Sequence, residues 1–251
     1  MNTSELAIEA SAVTKEYGDV RAVDSLDLTV KRGETYGFLG PNGAGKSTTI
    51  GLLLDYLRPT SGTVRVLGHD PRRDVVKVHG RVGVLPDRFS LYDDRSARQH
   101  VVFVAETKGV DDDPAALLER VGLGDAVDDD AGDFSSGMEQ RLALAMALVG
   151  DPELLILDEP FGGLDPHGVQ RVREIVHEET RRDATVFFSS HVLGQVELVC
   201  DRVGILHEGQ LVAEGTLDEL QNQTASPDDG TIEDVFMELI DARVNHGGET
   251  R

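Results

Sequence analysis

The sequence predicts an α/β fold, a largely parallel sheet carrying a helical insertion. Three observations predict it. Short apolar runs of strand length alternate with longer stretches of helical periodicity. Between about Arg95 and Val149 the pattern is helical. The Gly-rich segment GPNGAGKST, Gly40 to Thr48, joins an apolar run directly to a helix.

Taken in order, AIEASAV and LDLTV read as early strands, and TYGFLG as an apolar strand ending at Gly40. GKSTTIGLLLDYL reads as a helix closed by the turn RPTSG. TVRVLG and RVGVLP are further strands before the helical stretch. Then follow strand ELLILD, helix GVQRVREIVHEETRR, strand ATVFFSS, helix VLGQVELVC and strands RVGILH and QLVAEG. QNQTASPDDG is a linker, and TIEDVFMELIDAR a final amphipathic helix. No internal repeat is present.

The chain has 251 residues, enough for one large domain or a domain with an insertion. Its formal net charge is −22, with Asp runs at Asp111–Asp113 and Asp128–Asp130 that read as solvated loops. Such a surface suits a salty medium, where repulsion is screened. It argues against a broad nucleic-acid footprint, which needs clustered Lys and Arg. The lone Cys200 excludes an internal disulfide and suits a reducing compartment. The start MNTSELAIEA lacks a basic, apolar signal-peptide pattern, and LALAMALVG is too short to cross a bilayer. The expectation is a cytosolic chain whose membrane role would need a partner.

Two motifs carry chemistry. GPNGAGKST fits G-x-x-x-x-G-K-[ST] between a strand and a helix. Its glycines let the backbone N–H groups of Gly40, Pro41's neighbours Asn42 and Gly43, Ala44 and Gly45 curl around phosphates, with the helix N-terminus at Lys46, Ser47 and Thr48 adding positive potential. Lys46 would reach the β- and γ-phosphates, and the Ser47 hydroxyl would ligate Mg²⁺. LLILDEP, Leu154 to Pro160, supplies the complement: Asp158 at a buried strand's end for Mg²⁺, and Glu159 beside it to polarise an attacking water. A third segment, FSSGMEQR, is a Ser/Gly turn opening a helix and so a second phosphate site. One chain with two such sites asks whose phosphate the second one touches.

With these motifs in this order the chain resembles the ATP-binding subunit of an ATP-binding cassette (ABC) transporter, over about Leu6 to Gly215. Tyr17 in KEYGDVRAV stands where that family stacks a ring on adenine, and Asp87 in GVLPD where it has a loop glutamine. FSSGMEQR stands at the family signature, GGLD places Asp165 at a subunit seam, and SSH puts His191 at the switch histidine that contacts the γ-phosphate.

The resemblance implies a P-loop NTPase core with a mainly parallel sheet, an N-terminal antiparallel β subdomain and an inserted α-helical subdomain. It implies an ATP-binding domain over residues 1–220, its helical part at about 89–150, and a linker with a C-terminal helix over 221–251. It implies an Mg²⁺-dependent ATPase with Lys46, Glu159 and His191 as catalytic residues and Ser47, Asp158 and Asp87 at the metal. It also implies a head-to-tail pair with a second copy or a homologous subunit, in which Ser135, Gly137 and Asp165 face the partner's ATP. The second phosphate site would then serve the partner's nucleotide. TIEDVFMEL and the run PTSGTVRVLGHDP resemble the exporter branch, which pairs with a separate membrane permease at the inner face of the cell membrane. No nucleic-acid partner is implied, and nothing selects a substrate.

Two departures bear on turnover. Ser136 replaces the signature's usual first Gly, and its Cβ would crowd the partner's ATP if that position needs φ > 0. Asp87 is a charged, shorter ligand than glutamine and reaches Mg²⁺ through water. Both would slow hydrolysis without removing an anchor. A soluble or regulatory ATPase of the same family, not tied to transport, stays open as an alternative. A small-molecule kinase or GTPase would share the phosphate loop but not the signature and switch histidine, and no N-K-x-D guanine motif is present.

Overall fold

The computed structural model describes residues 5–196 and 199–222. The helix expected over TIEDVFMELIDAR and most of the linker before it lie outside these residues.

Two sheets organise the chain. The first is antiparallel, in the order β2-β1-β4, from β1 (Leu6–Tyr17), β2 (Val20–Lys31) and β4 (Ser61–Val66). β2 alternates buried and exposed residues, as a half-solvated strand must. The second has six strands in the order β5-β6-β7-β3-β8-β9. They are β3 (Thr35–Leu39), β5 (Val82–Leu85), β6 (Leu154–Asp158), β7 (Thr185–Ser190), β8 (Arg202–His207) and β9 (Gln210–Gly215). All neighbours pair parallel except β8 with β9. β3, β6 and β7 are buried along their whole length, which explains why they read as continuous apolar runs.

Helix α1 (Lys46–Leu53) follows β3 and fills the space between the sheets with Ile50, Leu52 and Leu53. It is shorter than expected: Leu54 closes it and Asp55 turns to φ 55. Between β5 and β6 stand α3 (Ala97–Lys108), α4 (Pro114–Arg120) and α5 (Ser136–Leu148), packed on a second apolar cluster with α6 (Pro166–Arg181). Of the predicted helix VLGQVELVC only α7 (Leu193–Val196) is described as helix. Two short helices escaped the sequence reading. One is α2 (Val75–His79), whose period is hidden in a valine-rich run; the other is α8 (Leu217–Gln221), opened by a Thr216/Glu219 capping box and overlapping the expected linker by one residue.

The aspartate runs are not merely solvated. Asp113 caps α4, and Asp112 accepts from the Gly150 N–H at 2.6 Å, closing the insertion where it returns to the core. Asp128 pairs with Arg98 at 2.8 Å.

Register carries the consequence for function. β7 lies between β3 and β6, with Leu39 opposite Ser190 and Asp158 opposite Ser189. The carboxyl ends of three parallel strands therefore deliver Gly40–Thr48, Asp158–Glu159 and Ser189–His191 to one edge, where α/β sheets bind ligands.

Candidate active site

The phosphate loop is built around two left-handed glycines, Gly43 at φ 84 and Gly45 at φ 108. A Cβ on Gly45 would collide with the carbonyl oxygen of Ala22 in β2, so the conformation and the close approach both demand glycine. Gly209, in the β8–β9 turn, donates to the Ala44 carbonyl at 2.9 Å and accepts from the Asp24 N–H at 2.8 Å, tying the loop to both sheets. Lys46 starts α1 and is only 6% exposed. Its ammonium donates to the Gly40 carbonyl at 2.8 Å and the Pro41 carbonyl at 3.4 Å, and lies 3.5 Å from Glu159 Oε1. Ser47 is exposed at the floor of the cleft.

Asp158 is buried at the end of β6, and Ser189 Oγ donates to it. Burial pushes its carboxyl above the ordinary aspartate range. Hydroxyl bonds from Ser189 and Ser47 oppose that shift, and the charges of Asp87 and Glu159 add to it. Glu159 follows in a left-handed conformation at φ 53, which a non-glycine residue adopts only where the surroundings impose it. They do so here: its N–H donates to Ser189 Oγ at 3.1 Å, and its carbonyl accepts from Gln140 Nε2 at 3.4 Å. Its carboxylate meets His191 Nδ1 at 2.9 Å.

Lys46, Ser47, Glu159 and His191 line a cleft of about 620 Å³ that also takes in Asn42, Gly43, Gly45, Thr48 and Asp87, whereas Asp158 and Ser189 are buried outside that lining. Ala22, Arg88 and Gly162 complete it and were not singled out from sequence. Ser189, missed as well, sits inside the quoted SSH; a small hydroxyl next to a buried carboxylate's partner strand was the available signal. Asp87 is 46% exposed and stands 3.8 Å from Arg88 Nε. The Ser47 hydroxyl bonded to a buried carboxylate is a hard-oxygen donor set, which fits Mg²⁺. Among the described residues no group of three or more His, Cys, Asp or Glu could hold a metal, so phosphate or water oxygens would have to complete the shell.

The second phosphate site lies elsewhere. Ser135 caps α5, its Oγ accepting from the Met138 N–H at 3.3 Å. Ser136 is the first residue of that helix and has no positive φ, so the crowding feared from its Cβ loses its premise. A Cβ on Gly137 would stand 3.4 Å from the Gly163 carbonyl, so the signature turn lies against the GGLD loop. Asp165 caps α6, accepting from the Gly168 N–H at 2.7 Å. Ser135, Ser136 and Asp165 are exposed, and with Gly137 they lie outside the cleft lining. Tyr17, at the end of β1, is 47% exposed with Lys15 Nζ 4.8 Å over its ring, and it also stands outside that lining.

The family model described as ABC transporter matches residues 23–162, more than half of the chain. The chain belongs to the ABC transporter family. It is 41% identical over 219 residues to the bacitracin transport ATP-binding protein BcrA of Bacillus licheniformis, covering 86% of this chain and 72% of that one. It is 39% identical over 232 residues to the daunorubicin/doxorubicin resistance ATP-binding protein DrrA of Streptomyces peucetius, covering 90% and 70%. A solved ATP-binding subunit of an ABC transporter superposes with a TM-score of 0.86 at 28% identity, covering 93% of this chain and 99% of that one. The fold is thus that of an ABC ATPase, with an antiparallel β subdomain, a mixed sheet and inserted helices. As an ABC ATP-binding subunit the chain binds and hydrolyses ATP to power transport. No helix among the described residues is long and apolar enough to cross a membrane.

Proposed function

We propose that this chain is the ATPase of an exporter, working as a head-to-tail pair beneath a separate membrane permease on the inner face of the cell membrane. The observation that carries the reading is the convergence of Lys46, Glu159 and His191 on one cleft, with Asp158 buried beside it against Ser47 and the signature turn outside its lining. In this reading residues 1–220 are the ATP-binding domain, with a helical part at about 89–150.

In this reading the loop N–H groups and Lys46 hold the β- and γ-phosphates, and Tyr17 stacks on adenine. An arriving γ-phosphate takes over the Lys46 ammonium from Glu159. Glu159 then orients water and accepts its proton, and His191 holds that carboxylate in place while facing the phosphate. Ser47 and Asp158, with Asp87 through water, would hold Mg²⁺, which supplies charge neutralisation at the phosphates when bound. Ser135, Gly137 and Asp165 complete the partner's site. The placement of Ser136 within a helix supports a competent signature.

Glu159→Gln tests the reading. Turnover should fall by roughly 10²–10⁴-fold, the usual worth of a positioned base, with ATP affinity retained. Mg-ATP should then hold two chains together, visible as a dimer by size-exclusion chromatography. Unchanged turnover would remove Glu159 from the chemistry.

A further inference from the structure

Glu179 is the most deeply buried carboxylate among the described residues, at 0% exposure, and lies in α6 far from the cleft. A carboxylate so placed needs charged donors. Arg120 Nη2 donates to Oε1 at 2.8 Å, and Arg182 Nε to Oε2 at 2.7 Å. The two arginines differ in origin. Arg182 is three residues on, just past α6, within the core. Arg120 is the last residue of α4, within the insertion.

The contact is reinforced in both directions. Arg120 also reaches Glu178 at 3.1 Å, and Arg171 Nε of α6 donates to the Arg120 carbonyl. From Arg120 a continuous path leads to the signature. Two residues later the Gly122 carbonyl accepts from Arg141 Nη1 at 2.7 Å, and Arg141 Nε donates to the Gly137 carbonyl at 3.2 Å. The other end of α6 is capped by Asp165, beside Gly163 and Ser136.

We infer that the Arg120–Glu179 pair is the joint that sets the insertion, and with it the Ser135–Gly137 turn, at its working position relative to the core. Arg120 is thereby a positioning residue for hydrolysis. The pair suits this task because a guanidinium fork meets a carboxylate in a narrow range of orientations, whereas apolar packing tolerates sliding. The inference rests on the reading that the signature serves the partner's ATP.

The control is built into the same carboxylate. Arg120→Met and Arg182→Met each leave Glu179 with one arginine, so both should lower the melting temperature comparably. Only the first cuts the side-chain link across the joint, the Arg171 bond to the residue 120 carbonyl remaining in both. In the full chain, Arg120→Met should keep monomer ATP affinity, weaken ATP-driven dimerisation in the Glu159→Gln background, and lower kcat by about 10- to 100-fold, the scale of a misplacement near 1 Å. Arg182→Met should leave kcat close to wild type. If Arg120→Met fails to fold, Arg120→Lys keeps the charge without the fork and should show the same split. Equal kcat losses for the Arg120 and Arg182 variants, or full turnover in a folded Arg120→Lys chain, would overturn the joint. Ser135→Arg run in parallel separates the two readings: if it leaves turnover intact, the shared site is wrong and the joint's role falls with it. If it abolishes turnover while the arginine variants match each other, only the joint is wrong.

Discussion

The two turns to which we assign phosphate are made of similar residues and are built in opposite ways. The loop from Gly40 to Thr48 is closed on itself: Gly43 and Gly45 are left-handed, its lysine is 6% exposed, and its cation already has oxygen partners. The turn from Phe134 to Gly137 is open. Ser135 and Ser136 are exposed, and the Ser135 hydroxyl is used to cap its own helix. The first can hold a phosphate unaided. The second offers only a helix N-terminus and a hydroxyl, and in the proposed reading it completes a nucleotide site carried by another surface. The chemistry of a phosphate site is thus cheap in sequence; what separates a binding site from a completing site is how much of it the fold encloses.

The sharpest way to break this comparison is to damage each turn in turn. Lys46→Ala should abolish turnover by weakening ATP binding itself, because the enclosed cation is lost. Ser135→Arg should abolish turnover and dimerisation while the isolated monomer keeps its nucleotide affinity, read by titration with a fluorescent nucleotide. Equal loss of affinity in both would mean the open turn belongs to the same site as the closed one.

A smaller effect concerns the surface that surrounds both turns. With a net charge of −22 the fold repels itself. The Debye length shrinks from about 30 Å at 0.01 M salt to about 3 Å at 1 M, and compaction makes the folded state the more repelled. Thermal midpoints should climb from about 0.05 M to about 3 M KCl. Mg-ATP should raise them further through linkage. A flat or falling midpoint would give the acidic surface another purpose.

The smallest effect lies beneath the insertion. Arg81 and Arg32 grip Glu153, just before β6, at 2.5 and 2.9 Å. Arg81's hydrogen bonds, ahead of those from Arg32, hold the carboxyl below its ordinary value. Stability from this group is therefore present above the ordinary glutamate pKa of about 4.3 and is lost as pH falls through the depressed folded value. Glu153 is 43% exposed, so solvent screening keeps the effect under about 1 kcal/mol. Denaturant melts should show a shallower acid-side loss in Glu153→Gln than in the wild type.

Much of this architecture was legible because buried parallel strands cannot alternate. LLILD and TYGFL could hardly be anything but core strands, and the loop between strand and helix was declared by its glycines. The α1 boundary was less legible, since Leu54 and Asp55 leave the helix through a backbone turn that nothing in LLLDYL announces. Ser136 illustrates a misjudged local cost: glycine's absence suggests strain only where φ is positive, and here the residue simply begins a helix. Ser189 reached Asp158 through register and Arg88 reached the cleft through loop position, which depend on which strands are neighbours rather than on any local pattern. The Arg120–Glu179 contact joins residues 59 apart and has no sequence signature at all.

Lys46 has one more consequence. Its ammonium is engaged before any nucleotide arrives, by the Gly40 and Pro41 carbonyls and by Glu159. Capture of a nucleotide is then not a single collision. An encounter at the mouth, where Arg88 is exposed, would be followed by an exchange of the lysine's acceptors inside the loop. That exchange is unimolecular and has its own clock. Where that exchange is slower than arrival, the cleft would behave as a turnstile, and crowding at its entrance would not make it turn faster than the lysine lets go.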